Sequence, residues 1–366
     1  MNTKNIGASD ILIHKEKYDQ IIEGLFIFLF FIAPLSRAGV NILLPILAIA
    51  LFVKKLKYHG APEEKARFPE INRWVAILGI AFVVSFINVV NFSAAIENFV
   101  DEYILFALIF LISLDVIKSK ELVRKLFWAG ITSSIIVATW GLYEHFGKGY
   151  IRISSTFNLA TQTGTYFLIL VLLSISFLLF NNKLNRTKIF ISCLYTLLNF
   201  TCLIFTGSRG AWVGLFAGFI LLLFFAIKKN KGFNFKKLIV LFLIFTLAAT
   251  YVDMGWVISR FDSINDLSNS SNQQRIMMAT TGLRMLKDHP LFGVGIGQFP
   301  YIYPDYKFKE AIVFSHLHCF YLHLAVEIGV AGFLIYLIVV FKILKTGLYS
   351  FAQTVQDQWF YYGLIG

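Results

Sequence analysis

The stretch IFISCLYTLLNFTCLIF-TGSRG-AWVGLFAGFILLLFFAI, Ile189 to Ile227, is two apolar runs joined by five residues, one of which is the permanently charged Arg209. Each run approaches the roughly 20 residues that an α-helix needs to cross about 30 Å of hydrocarbon. In lipid, backbone amides find partners only within their own segment or a closed barrel, and runs of this length and period satisfy them as helices. The same pattern recurs along the 366 residues and predicts spans over 21–35, 38–53, 73–92, 103–117, 126–146, 164–180, 189–206, 211–227, 238–252 and 320–341. Pro34, Ser36 and Arg37 alone part the first two, which form either a tight hairpin or one helix broken by proline.

The expectation is therefore an all-α, polytopic membrane bundle of about ten transmembrane helices. With 57% hydrophobic and 15% charged residues and a mean hydropathy of +0.70, the chain has more apolar surface than a water-soluble core of this size can hide. No repeat or linker divides it, so residues 1–366 read as one membrane domain, with the polar interval 253–319 inserted as a partly helical loop between the ninth and tenth spans. The tail after Thr346 turns apolar again at Trp359, as a further span beyond the last residue would.

Lys and Arg between the spans set the orientation. With the N-terminus cytoplasmic, 23 basic residues lie inside and 10 outside, which places 253–319 on the extracytoplasmic face. The net charge of +12 is thus a topological signal, and nucleic acid is not an expected partner. Met1 to Gln20 is polar and no small-residue cleavage site follows the first apolar run, so that run is read as a retained span. Cys193 and Cys202 share a helix at a spacing too long for a bridge and Cys319 stands alone, so no disulfide is expected. No metal site or cofactor is expected either, the histidines His316, His318 and His323 lacking zinc-type companions.

Four groups of residues can carry chemistry. Arg209 lies in Thr206-Gly-Ser-Arg-Gly210, where glycines let backbone N–H groups approach an anion; an interfacial anchor that reaches to headgroups is the equal alternative. Arg260, Arg275 and Arg284 extend the basic set in the loop, and guanidinium suits phosphate because its planar fork grips two oxygens. After the polar turn Ser268 to Gln274, Arg275 to Lys287 has apolar Ile276, Met277, Ala279, Leu283 and Leu286 at near-helical spacing. Ser315-His-Leu-His318 supplies candidate bases, and His323 and Glu327, four apart, share a helix face. His316 joins that face if the helix is continuous through it, and not if the helix begins after His318. Gly293-Val-Gly-Ile-Gly297 follows no strand and is read as a bend rather than a nucleotide loop. The tyrosines from Tyr301 to Tyr306 are equally sugar platforms or an interfacial belt.

Thr206-Gly-Ser-Arg-Gly-Ala-Trp212, Arg275 leading to His289-Pro-Leu-Phe-Gly-Val-Gly-Ile-Gly297, and His316-Leu-His318 followed by Glu327-Ile-Gly-Val-Ala-Gly332 resemble, in this order, the O-antigen ligase and O-antigen polymerase superfamily. The likeness covers about Phe205 to Leu337. It implies a metal-independent glycosyltransferase without cofactor in the bacterial inner membrane, active at its outer face and involved in lipopolysaccharide or other surface-polysaccharide assembly. The donor would be a glycan on undecaprenyl pyrophosphate and the acceptor a lipid A core sugar (ligase) or another lipid-linked repeat (polymerase). Arg209 and Arg275 would hold the pyrophosphate and His318 would activate the acceptor hydroxyl, with Arg284, His323 and Glu327 as supporting residues. Cys319 stands where the family commonly has Asn, which keeps His316 as the alternative base. A transporter or flippase of lipid-linked glycans is the less favoured class, since no internal repeat is visible.

Overall fold

The computed structural model describes residues 3–58, 68–181, 184–229, 236–249, 254–266 and 270–352. Among these there is no strand. The helices are α1 (Thr3–Ile32), α2 (Arg37–Lys57), α3 (Pro69–Val84), α4 (Phe92–Asn98), α5 (Leu105–Val116), α6 (Lys120–Leu142), α7 (Ala160–Phe180), α8 (Arg186–Phe205), α9 (Arg209–Lys229), α10 (Lys236–Ala249), α11 (Met254–Asn265), α12 (Ser270–Asp288), α13 (Phe299–Tyr306) and α14 (Phe320–Ala352). A 3₁₀ turn follows α3, and π-helical turns over Phe99–Ile104 and Tyr143–Gly147 precede α5 and follow α6. The all-α polytopic expectation holds. Among the described residues seven helical stretches are long and apolar enough to cross a membrane: Arg37–Lys57, Pro69–Asn88, Lys120–Gly147, Ala160–Phe180, Arg186–Phe205, Arg209–Lys228 and Phe320–Gly347. The other three expected spans fall on α1, α5 and α10; α5, with 12 residues, rises only about 18 Å by itself. The apolar turn at Trp359 lies outside the described residues.

Local chemistry sets the helix ends. Asn91 and Asn185 cap α4 and α8 by accepting from the N–H groups of Ala94 and Lys188, and Pro69 opens α3 where its missing N–H costs nothing. Between α1 and α2 the N–H groups of Leu35 and Ser36 both donate to the Ile32 carbonyl, so the proline interval is a turn. Phe216, Ile220, Phe224 and Ile227 on α9 are all at least half exposed. Their spacing of three to four residues makes one outward apolar stripe, suited to hydrocarbon and unfavourable in water.

The chain groups into two compact units. The first unit draws on Met1–Phe30, Ala38–Phe127 and Asp266–Thr346. In it α1 and α2 pack with α5 and the start of α6 through Ile22, Phe26, Leu44, Leu47, Ile112 and Leu122. Another cluster joins α3 to α14 (Leu78, Phe82, Leu324, Ile328), and a third joins α12 and α13 to α14 (Met278, Met285, Phe299, Tyr303, Val326). The second unit draws on Phe31–Arg37, Trp128–Asn265 and Gly347–Gly366. Its core is α7, with Phe167, Val171, Ile175 and Leu179 fully buried against α6, α8, α9 and α10.

The interval expected to be one partly helical loop, 253–319, is in large part helix, and the boundary between the units falls inside it. The polar turn expected up to Gln274 is helical from Ser270 onward, so α12 begins five residues before Arg275. Its buried face also differs from the expected one. Met278, Gly282 and Met285 point inward while Ile276 and Leu283 are exposed. Gly282 explains the choice: a Cβ there would lie 2.7 Å from Leu317 Cδ1, so only this face lets the fully helical segment seat Leu317.

Candidate functional site

In the first unit the segment after α13 folds back over α12. Gln274 holds it at both ends of its amide, Nε2 donating to the Glu310 carbonyl (3.3 Å) and Oε1 accepting from Ile312 N–H (3.1 Å). Leu317 is buried against Met278 and Met285, so its neighbours His316 and His318 are turned outward. α14 begins at Phe320, after both histidines, and the helical-face argument that joined His316 to His323 and Glu327 does not apply.

A cavity of about 280 Å³ lies between α12 and this segment, lined by Arg275, Ile276, Met278, Ala279, Leu317, His318, Cys319 and Leu322. Arg275 and His318, remote in sequence, thus share one apolar-walled recess. The His318 imidazole is held below the ordinary histidine value, first by burial and then by the positive charges of Arg275 and His316. The neutral ring, the form that accepts a proton, therefore persists to lower pH. Phe314 and His316 meet the His318 ring edge-on at 5.5 and 5.7 Å. His316 accepts or donates through Nδ1 to the Ser315 hydroxyl at 3.0 Å, and it does not line the cavity. Replacing Arg275 by Gln removes one of the two charges opposing the imidazolium, so the His318 pKa should rise toward the usual value. NMR titration of labelled histidine in micelles reads this without turnover, and an unmoved titration would separate the two side chains.

The other expected supports have different tasks. Arg284 lies nine residues beyond Arg275, about half a turn out of phase on the helix, and its guanidinium covers the Phe308 ring at 4.3 Å. Glu327 is 2% exposed, and its Oε1 accepts from Gly297 N–H (3.0 Å) while lying 3.7 Å from His323 Nε2, beyond hydrogen-bond range. It anchors the glycine segment. That segment docks on a break in α14: Val294 N–H donates to Val326 O (2.8 Å), Gly295 N–H to Glu327 O (3.0 Å), and Val330 N–H to Pro290 O (2.9 Å). Gln298 fastens its far side, accepting from Val90 and Asn91 N–H and donating to the Asn91 carbonyl. The expected bend is thus a clasp. Tyr303 is wholly buried on Phe299 and is unsuited to a sugar platform, whereas Tyr301 is exposed.

No metal was expected. Among the described residues one grouping, Glu102, His323 and Glu327, sets three donor atoms within 4.8 Å of one another, a set that a divalent cation accepts. One carboxylate oxygen of Glu327, Oε1, also accepts from Gly297 N–H. The three cysteines are free.

In the second unit Arg209 opens α9. Its Nη1 donates to the Ser263 carbonyl (2.7 Å) and hydroxyl (2.9 Å) on α11. Arg260, also on α11, donates to the Gly207 carbonyl at 3.0 Å, and Arg152 donates through Nε to the Thr206 carbonyl at 3.0 Å. Arg152 was not singled out in the sequence; the aromatic and serine residues around it carry no spacing signal. Its loop is positioned by Glu144, buried in the π-turn after α6, which accepts from the N–H groups of Ser154 (3.0 Å) and Ser155 (2.7 Å). Ile153 N–H completes the placement by donating to the Phe205 carbonyl at 3.1 Å.

No curated protein matches the chain. Residues 194–337 match the family model described as O-antigen ligase, a stretch that contains Arg209, Arg275, His316, His318 and Glu327. Over that stretch the chain is similar to the O-antigen ligase family.

Proposed function

We propose that the protein is a membrane glycosyltransferase that moves a glycan from undecaprenyl pyrophosphate to a sugar hydroxyl, of ligase type with a lipid A core acceptor. The supporting observation is the recess that Arg275 and His318 share. Transfer breaks the bond from the anomeric carbon to the diphosphate oxygen, the electron pair leaves on the diphosphate, and the acceptor oxygen forms the new bond. Arg275 stabilises the charge that develops on the leaving group. His318 takes the acceptor proton as the hydroxyl becomes acidic in the transition state. His318 is favoured over His316 because it alone lines the recess. Arg209 keeps the phosphate-binding role implied by the resemblance. With the basic loops inside, the N-terminus is cytoplasmic and the recess faces outward from the inner membrane.

Incubating the purified protein with lipid-linked glycan and candidate acceptors tests the reading. A glycan joined to lipid A core supports the ligase, and lengthening of lipid-linked repeats supports a polymerase. Flux across vesicles without bond exchange would identify a transporter, and neither product nor flux would leave a non-catalytic scaffold.

A further inference from the structure

At one end of the first unit the close of α2, the start of α3 and the close of α5 meet around a cavity of about 340 Å³. Lys55 and Asp115 stand at its rim, Asn72 and Tyr103 line it with polar groups, and Val75 and Ala76 give it an apolar wall. Lys55 Nζ lies 2.9 Å from Asp115 Oδ2, and both side chains are largely exposed. So exposed a pair contributes little to folding by itself. It leaves Asp115 Oδ1 and two of the three ammonium donors unused. Asn72 is placed differently. Its Oδ1 is buried and accepts no hydrogen bond, which is unfavourable for an acceptor shut away from water. A turn about χ2 swings that oxygen toward the cavity that the side chain lines. Tyr103 donates its hydroxyl to the Val75 carbonyl at 2.7 Å, which fixes the ring as a wall. From the exposed Ala76 an outward stripe continues along α3 through Ile80 and Val83, each more than half exposed. The cavity thus sets a cation, an anion and an acceptor in want of a donor at the head of an apolar track.

We propose that this cavity holds the headgroup of a phospholipid bearing a primary ammonium, a phosphatidylethanolamine, with an acyl chain lying along the α3 stripe. The lipid phosphate sits against Lys55, and the lipid ammonium donates to Asp115 and to the Asn72 oxygen, so each charge of the headgroup meets its opposite. Other headgroups fit less well. An anionic glycerol headgroup would set its phosphate beside the Asp115 carboxylate with no cation to offer it, and a choline headgroup has no N–H for Asn72. The cavity is formed where α2 ends and α3 begins, the depth at which spans leave the hydrocarbon and headgroups lie. Nothing in this binding depends on the transfer proposed above.

The test is native mass spectrometry of the full chain released from nanodiscs of equimolar phosphatidylethanolamine, phosphatidylcholine and phosphatidylglycerol, with retention of one molecule of each lipid measured. Phosphatidylethanolamine should be retained about tenfold or more over phosphatidylcholine, the difference that charge-assisted hydrogen bonds make. Asn72→Ala and Asp115→Asn should each lower phosphatidylethanolamine retention about tenfold and leave phosphatidylcholine retention unchanged. Lys55→Gln should lower both, because both lipids carry the phosphate. Lys57→Gln removes a cation of the same helix that lies over the Tyr18 and Tyr58 rings, and it should leave retention as it was. Thermal melting accompanies each variant, and the lipid preference of the unaltered protein is decisive even where a variant does not fold. Equal retention of the three lipids, or phosphatidylglycerol above phosphatidylethanolamine, overturns the proposal. An unchanged preference in Asn72→Ala or Asp115→Asn with native melting also overturns it, by placing the lipid elsewhere on the surface. A loss in Lys57→Gln as large as in Lys55→Gln would do the same, since general charge attraction would then explain the retention.

Discussion

His318→Ala should lower glycan transfer by about 10²- to 10⁴-fold, the usual contribution of a positioned general base, while the protein remains in the membrane. The expectation follows from three facts about one side chain. His318 lines the same recess as Arg275, its neutral form is favoured by burial and by that arginine, and its backbone is set by the buried Leu317 beside it. The substitution leaves Leu317 in place, so the loss should appear in kcat with the melting temperature little changed. His316→Ala should cost less than about tenfold, since that ring lies outside the recess and acts on His318 through its charge and an edge-on ring contact rather than at the site of transfer. The comparison is decisive between the two histidines: a crippled His316 variant beside an active His318 variant would reassign the base.

Gly329→Ala is expected to be the most damaging single-carbon change to the fold. Gly329 interrupts α14 at φ +72°, ψ 173°. An added Cβ would sit 2.1 Å from the Leu291 carbonyl oxygen, backbone that cannot rotate away. A positive φ combined with an extended ψ, a conformation essentially restricted to glycine, costs a side chain of order 1–3 kcal/mol by itself, and relieving the overlap means undocking the segment from Pro290 to Gln298. We expect a loss of roughly 3 kcal/mol or more in total, in the range of severe backbone strain. Gly293→Ala should behave similarly, its Cβ falling 2.4 Å from the Glu327 carbonyl oxygen. Thermal unfolding in detergent measures both, and a native melting curve for either would show that the clasp is not structurally required. Loss of the clasp should also impair transfer, because Phe299 and Val294 belong to the cluster that seats Leu317 between the two histidines.

The helices were legible in the chain because lipid solvation imposes a simple rule: a run of apolar residues near 20 long must satisfy its own amides. That rule needs no knowledge of neighbours, so α2, α3, α6, α7, α8, α9 and α14 could be read directly. Arg209, Arg275 and His318 were legible for a related reason: charged and titratable groups stand out beside such runs, and their order carried the family likeness. The glycine segment was not. Gly293 reads as part of a bend and Gly329 stands out only within the stretch that carries the family likeness, yet each is required by the backbone of the other's segment, a contact across 36 residues that leaves no periodic trace. The same holds for the face of α12, chosen by a void at Gly282 that Leu317 fills rather than by the apolar count.

Residue identity and spacing were therefore sufficient for the membrane class, the helical segments and the principal candidate groups, since hydrophobic length and fixed charge are properties of the chain alone. Three-dimensional packing was needed to bring Arg275 beside His318, to turn Glu327 from a partner of His323 into the anchor of Gly297, and to set Arg152 on the Thr206 carbonyl. Those outcomes depend on distances between segments far apart in sequence, and short-range patterns do not encode them.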